Sequence, residues 1–205
     1  MRSKKSASRK LTVVLLSVIL VLCCTIGGTL AWLSAVSGPV TNTFTVGKIE
    51  IELKEHELKD GELDEDSEVT ENITYKIVPG AKQPKDPFVR VKEGSEKCHV
   101  YVCIENQLGT NLTYNIDDNK WEHVAEDGNK VLYRFKQVID ASATDVTEYV
   151  FSEVTYSGNI TENTIGDLSG KKVIINAFAH QSENITEVTV ADTAAKTHFG
   201  MTTNP

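Results

Sequence analysis

The sequence predicts an all-β fold, a jelly-roll-like antiparallel β-sandwich preceded by an N-terminal signal-peptide helix. Three observations carry this reading. Beyond residue 40, apolar and polar residues alternate in short runs, the period of a half-buried strand. Seven or more such runs follow at short spacing, divided by Gly, Pro, Asn and Asp. No run alternates with a long helical pattern, and no internal repeat is present, so a parallel sheet and a solenoid are both disfavoured.

The first element is the leader. Arg2, Lys4, Lys5, Arg9 and Lys10 form a basic start with no acid. Leu11 to Ile26 is apolar apart from Thr12, Ser17 and Thr25. That run is shorter than the roughly 20 residues a membrane helix needs. Extending it to Leu33 means crossing Gly27 and Gly28, which weaken a helix. Thr29-Leu30-Ala31 then supplies small residues at the two positions a signal peptidase reads, with Trp32 as the first mature residue. Leu33-Ser34-Ala35 is the poorer cut, and an uncleaved anchor is the alternative. A lipoprotein reading of Cys23 and Cys24 fails on the bulky Leu22.

The domain plan is therefore a signal peptide over 1–31 and a single β-sandwich domain over 32–205. The leader takes five basic and no acidic residues with it, so the net charge moves from −8 to −13. An acidic chain does not suit nucleic acid or an anionic membrane surface. Membrane contact is expected only through an uncleaved signal. Cys98 and Cys103 stay in the mature chain, five apart in an expected strand. They sit on opposite faces and roughly 16 Å apart, too far to bridge each other. One is expected buried and the other half-exposed.

A loose lead over Ser34 to Thr41 precedes the first expected strand, Asn42 to Leu53. Phe44 and Val46 share one parity, and Ile49, Ile51 and Leu53 the other. Gly47 stands at the switch, where a kink or bulge is expected. Residues 59–71, rich in Asp and Glu around Gly61, predict an exposed acidic loop. Ile73 to Val78 predicts a short strand, and Pro84 and Pro87 predict irregular chain over Ala81 to Asp86. Strands are expected at Phe88 to Lys92 and, centrally, at Cys98 to Glu105. Residues 106–129 are mixed and polar, with Trp121 as an anchor onto the core. Asp127-Gly128-Asn129 is a turn signal leading into Lys130 to Ile139. Further strands are expected over Thr147 to Tyr156 and Lys172 to His180, with one or two helical turns over Glu162 to Leu168 between them. From about residue 187 a weakly structured tail is expected, a weak helix or no fixed structure.

Motifs for chemistry are sparse. The His-Glu-x-x-His helix is absent: His56-Glu57 is followed by Asp60 where the second His belongs. His56, His99, His123, His180 and His198 are scattered and read as strand or surface residues. Cys98 and His99 are neighbours in a strand and face apart, so they form no dyad. No phosphate loop, dinucleotide fingerprint or nucleophile elbow occurs. The acidic loop lacks the ligand spacing of a calcium-binding loop. Asn72, Asn111, Asn159 and Asn184 each open an Asn-x-Thr triplet, an acceptor for glycan in a eukaryote and a turn residue in a bacterium. No catalytic residue, metal or cofactor is expected.

Several segments together resemble the camelysin–TasA family of secreted proteins from Gram-positive bacteria. They are Gly27-Gly-Thr-Leu-Ala-Trp-Leu33 with Asn42-Thr-Phe-Thr-Val-Gly-Lys-Ile49; Ile77-Val-Pro-Gly80 with Lys85-Asp-Pro87 and Val89-Arg-Val91; and Val150-Phe151 through Val154, Leu168-Ser-Gly170 and Ala177-Phe-Ala-His-Gln181. The resemblance covers nearly the whole chain. It implies export through a SipW-type signal peptidase and a jelly-roll domain at the cell surface or in the biofilm matrix. It also implies self-assembly into fibres by donation of the N-terminal strand, 41–53, with Phe44 and Val46 docking and Gly47, Ile49 and Ile51 completing the segment. Partners implied are further copies of the chain and other matrix proteins. The same segment also reads as the first strand of its own sheet. Two other functions compete: an extracellular metalloendopeptidase, since the family includes metalloproteases, and a membrane-anchored adhesion or binding domain.

Overall fold

Alternating residues pair into sheets wherever both faces find cover, and here they do so in two layers. The computed structural model describes residues 12–19, 47–70 and 76–202. The chain divides into two units, Met1–Thr45 and Val46–Pro205. In the first, residues 12–19 form helix α1, whose Val13, Leu15 and Leu16 are exposed. Among the described residues, no helix is long and apolar enough to cross a membrane. The cleavage residues Thr29, Ala31 and Trp32 lie outside the described residues.

The second unit is an antiparallel β-sandwich. Its strands are β1 (Ile51–Lys59), β2 (Glu62–Val69), β3 (Lys82–Pro84), β4 (Phe88–Val91), β5 (Cys98–Asn106), β6 (Leu112–Tyr114), β7 (Trp121–Asp127), β8 (Lys130–Phe135), β9 (Val146–Tyr149), β10 (Glu153–Tyr156) and β11 (Val173–Gln181). Short helix α2 spans Glu162–Ile165, and α3 spans Val188–His198. Three sheets result, in orders β2-β1-β4-β9, β3-β10-β6 and β11-β5-β8-β7. The first two form one continuous layer. β3 leads into β4 and β9 into β10 through matching bends, stitched by Lys85 N–H to Ser152 O at 3.1 Å and Val150 N–H to Pro87 O at 2.8 Å. We call this layer one, and β11-β5-β8-β7 layer two. From β4 onward every connection crosses between layers, except the β7–β8 hairpin and the β9–β10 bend, a jelly-roll-like alternation.

The core lies between the layers. Val89 and Val91 of β4 meet Val100, Val102 and Ile104 of β5, all with no exposed surface. Val173, Ile175, Ala177 and Ala179 close it from β11, on the single face that their spacing predicts. Trp121 is 1% exposed, stacks edge-on to Phe135 at 5.3 Å, and donates its indole N–H to Tyr149 O at 2.9 Å. It anchors β7 as expected.

Five expectations need correction. The acidic segment is not a loop: Asp60 and Gly61 take φ of 53° and 91° and close a two-residue hairpin between β1 and β2. Its carboxylates find cations on neighbouring strands. Arg90 grips Glu68 with both terminal nitrogens, and Lys54 reaches it at 3.1 Å. Residues 82–84 form an edge strand despite Pro84, because a proline is tolerated where its nitrogen faces outward. The run 147–156 is two strands, since the chain bends at 150–152. Cys103 is 2% exposed rather than half-exposed. It sits on the outer face of layer two, opposite Cys98 in the core, and both thiols are free. Of the two alternatives for the C-terminal segment, a weak helix or no fixed structure, the helix is the one present: α3 runs eleven residues. The strand expected at 73–78 is the fifth: residues 73–75 lie outside the described residues, and 76–78 are not strand.

Candidate functional site

A sheet edge is a row of unpaired backbone groups, and proteins usually guard it. Most edges of this sandwich carry a guard. β2 bears Glu62, Asp64, Glu65, Asp66 and Glu68, and its register with β1 shifts at His56/Glu57. β7 bears Glu122, Glu126 and Asp127, with a register shift between His123 and Ala125. β3, β6 and β9 are three or four residues long.

β11 is the exception. It runs nine residues, Val-Ile-Ile-Asn-Ala-Phe-Ala-His-Gln, in unbroken register with β5 and without Asp, Glu, Lys, Arg or Pro. Among the described residues no strand pairs with its outer side. The ladder fixes which backbone groups are free. Ser182 N–H donates to Lys97 O at 2.8 Å, and Gln107 N–H donates to Lys172 O at 3.0 Å. Even-numbered residues of β11 therefore exchange bonds with β5. Val173, Ile175, Ala177, Ala179 and Gln181 turn N–H and C=O outward, because antiparallel pairs alternate.

Beside this edge lies a second bare stretch. β1 pairs with β4 over Ile51–Lys54 but with β2 only from Glu55 onward. The first half of β1 thus has one open side. A cavity of about 540 Å³ opens between the two stretches. Ile51, Leu53 and Ala177 give it an apolar wall, and Glu105, Lys130 and Asn176 a polar one.

The outer face of layer two is roofed by α3. Ala191 and Ala195, both with no exposed surface, let the helix lie close on Tyr101, Cys103 and Leu132. Asp192 binds Arg134 Nη1 through both carboxylate oxygens at 2.6 and 2.7 Å, and accepts the Tyr101 hydroxyl at 2.9 Å. Glu122 holds the other end of the guanidinium. Burial works against the Arg134 charge, but Asp192 outweighs it and keeps the pKa above its usual range. Burial, with Asp192 beside it, pushes the Tyr101 hydroxyl pKa up.

A buried polar pair sits on layer one. Asp86, at the β3–β4 bend, accepts the His56 backbone N–H at 3.1 Å and pairs with ring Nδ1 at 2.6 Å. Phe88 and Tyr149 flank the imidazole at 5.4 and 6.4 Å. This ties β1 to the bend. Sequence reading missed it because the partners are thirty residues apart with no motif between them. Among the described residues no group of three or more His, Cys, Asp or Glu is placed to hold a metal ion.

The predicted donor residues divide. Phe44 and Val46 lie outside the described residues. Gly47 faces Glu96 so closely that a Cβ at this position would stand 2.8 Å from Glu96 Cγ. Ile49 packs on the core, and Ile51 pairs with Val91 in the chain's own sheet. Comparison with protein-family models, curated proteins and solved structures found no match.

Proposed function

We propose that the chain is an exported structural protein of the cell surface or extracellular matrix whose copies join by strand addition at the outer edge of β11. The observation that carries this reading is the contrast between β11 and the other edges. A long, uncharged, regular edge offers a partner both hydrogen bonds and apolar contact.

The donor is the segment upstream of Gly47, with Phe44 and Val46 as docking side chains. Residues 49–53 are already committed to their own sheet. Chain direction favours a second copy as acceptor. Lys48 O accepts from Glu96 N–H at 3.0 Å, so β1 begins at the end of the sandwich where β11 finishes beside Lys97. A segment reaching β11 of its own copy from there would run parallel to it. Every ladder among the described residues is antiparallel, and only a second copy leaves that orientation open. Such a contact is head-to-tail, and it builds a filament wherever the rotation between successive copies does not close into a ring.

The test is electron microscopy of mature protein beginning at Trp32, beside a form beginning at Gly47. Fibres from the longer form alone are expected. Fibres from both, or from neither under any solution condition tested, refute the reading.

A further inference from the structure

Three of the chain's five histidines gather where α3 meets layer two. His99 on β5 stands directly opposite His180 on β11. The Phe178 ring lies 6.3 Å from His180 and 4.5 Å from His198 at the end of α3. His99 shares a face with Tyr101, which reaches up to Asp192 of the helix. Its Nδ1 is buried and has no hydrogen-bond partner among the described residues.

We propose that α3 is a proton-sensitive clamp, docked on layer two at neutral pH and lifted as His99 takes up a proton. A neutral imidazole tolerates one bare nitrogen as an unused acceptor. A protonated imidazole has two N–H donors, and the one on Nδ1 would be buried with nothing to receive it. The surroundings add to this. Facing His99 are Arg134 from β8, His180 from β11, and Tyr101 from its own strand. Asp192 comes from α3, and Glu122 of β7 holds the far side of Arg134. Asp192 is the attractive charge, yet it is already engaged with Arg134 and Tyr101. Burial first, and Arg134 second, therefore hold the His99 pKa below its usual value.

The sign follows. A histidine whose pKa is depressed in the docked state adds stability that is complete above the free imidazole value, about 6.5. That stability is lost as pH falls below it. Complete exclusion of that proton from the docked state sets a ceiling of about tenfold on the rise in the opening constant of α3 between pH 7.5 and 5.5. Release uncovers Tyr101, Cys103, Leu132 and Phe178, an apolar face now closed by the helix. This device stands apart from strand addition and does not depend on it.

The experiment is hydrogen exchange of the whole mature chain at pH 7.5 and 5.5, corrected for the intrinsic rate at each pH. Amides of residues 188–202 should open more at pH 5.5, by up to about tenfold, while β5 stays protected. His99→Phe should remove that difference, and His99→Gln provides a second test should the first variant not fold. In the wild type, NMR titration of the His99 ring should give a midpoint below about 6.5. No pH effect on α3, opening of α3 and β5 together, or the same pH effect in both variants overturns the proposal.

Discussion

Proline scanning of β11 tests the ladder parity and the acceptor edge in one experiment. Ala177 turns its N–H outward, so Ala177→Pro removes no bond to β5. Its side chain faces the core and changes little in size. The proline ring then occupies the space an incoming strand would fill. Asn176 is one residue away, but its N–H belongs to the ladder with Cys103. Asn176→Pro breaks that bond and leaves its β5 partner unsatisfied, at a cost of about 1–3 kcal/mol. For a unit of this size each kcal/mol moves Tm by roughly 2–4 °C, so N176P should lose about 2–12 °C and A177P much less. Assembly should respond in the opposite sense. A six-residue donor, 41–46, faces about three outward residues and makes about six bonds, each near 1 kcal/mol net. Losing the central pair removes about 2 kcal/mol, or roughly thirtyfold in affinity. Differential scanning calorimetry reads the first effect, and sedimentation of mature protein from Trp32 reads the second. Equal losses of Tm would refute the parity. Unchanged assembly of A177P would refute β11 as the acceptor.

Other consequences are more local. Asp86→Ala strands the His56 backbone N–H and ring nitrogen in a buried site, and should lower the unfolding free energy by about 2–4 kcal/mol in urea; Asp86→Asn, which keeps one acceptor, should lose less. The Arg90 fork, with help from Lys54, holds the Glu68 carboxyl down to about 2 from an ordinary 4.5. A depressed carboxylate adds stability that is complete above 4.5 and is lost as pH falls from there toward 2. Arg90→Gln should therefore flatten the pH dependence of stability across that window and raise the Glu68 midpoint seen by NMR. Burial raises the Cys98 thiol to about 11, and Cys103 is raised likewise. Neither should react with a thiol reagent at pH 8 until the protein unfolds, and prompt labelling of either would contradict the packing.

The strands with clean alternation were legible because one face of each is buried, as Val173, Ile175, Ala177 and Ala179 illustrate. Failures came where a long-range partner decided the outcome. Composition marks 62–69 as a solvated loop, yet Asp60-Gly61 is a strong two-residue hairpin signal that the acidity around it obscured. The cations that neutralise that strand, Lys54 and Arg90, arrive from elsewhere in the chain. The break between β9 and β10 does leave a trace: Tyr149 and Phe151 share one parity and Val154 has the other. Ala191 and Ala195, one helical turn apart, mark the buried stripe of α3, but Arg134 is fifty-eight residues from the Asp192 that fixes it. For the candidate site, the parity of β11 could be read from sequence. That its outer side is an edge could not, since edge position depends on the order of strands.

Packing does not explain why that edge lacks charge. The side chains of Asn176 and Gln181 are exposed, and neither is needed to fill the core. A lysine at either position would guard the strand at little cost to the fold, as the acids guard β2 and β7. Asn176→Lys should therefore leave Tm within about 1–2 °C, since surface substitutions usually change stability by under about 0.5 kcal/mol. It should nevertheless weaken association at low salt, and less so at high salt, where added ions screen the new charge. A marked loss of Tm would mean that Asn176 serves the fold itself, and the bare edge would then have a structural cause rather than a functional one.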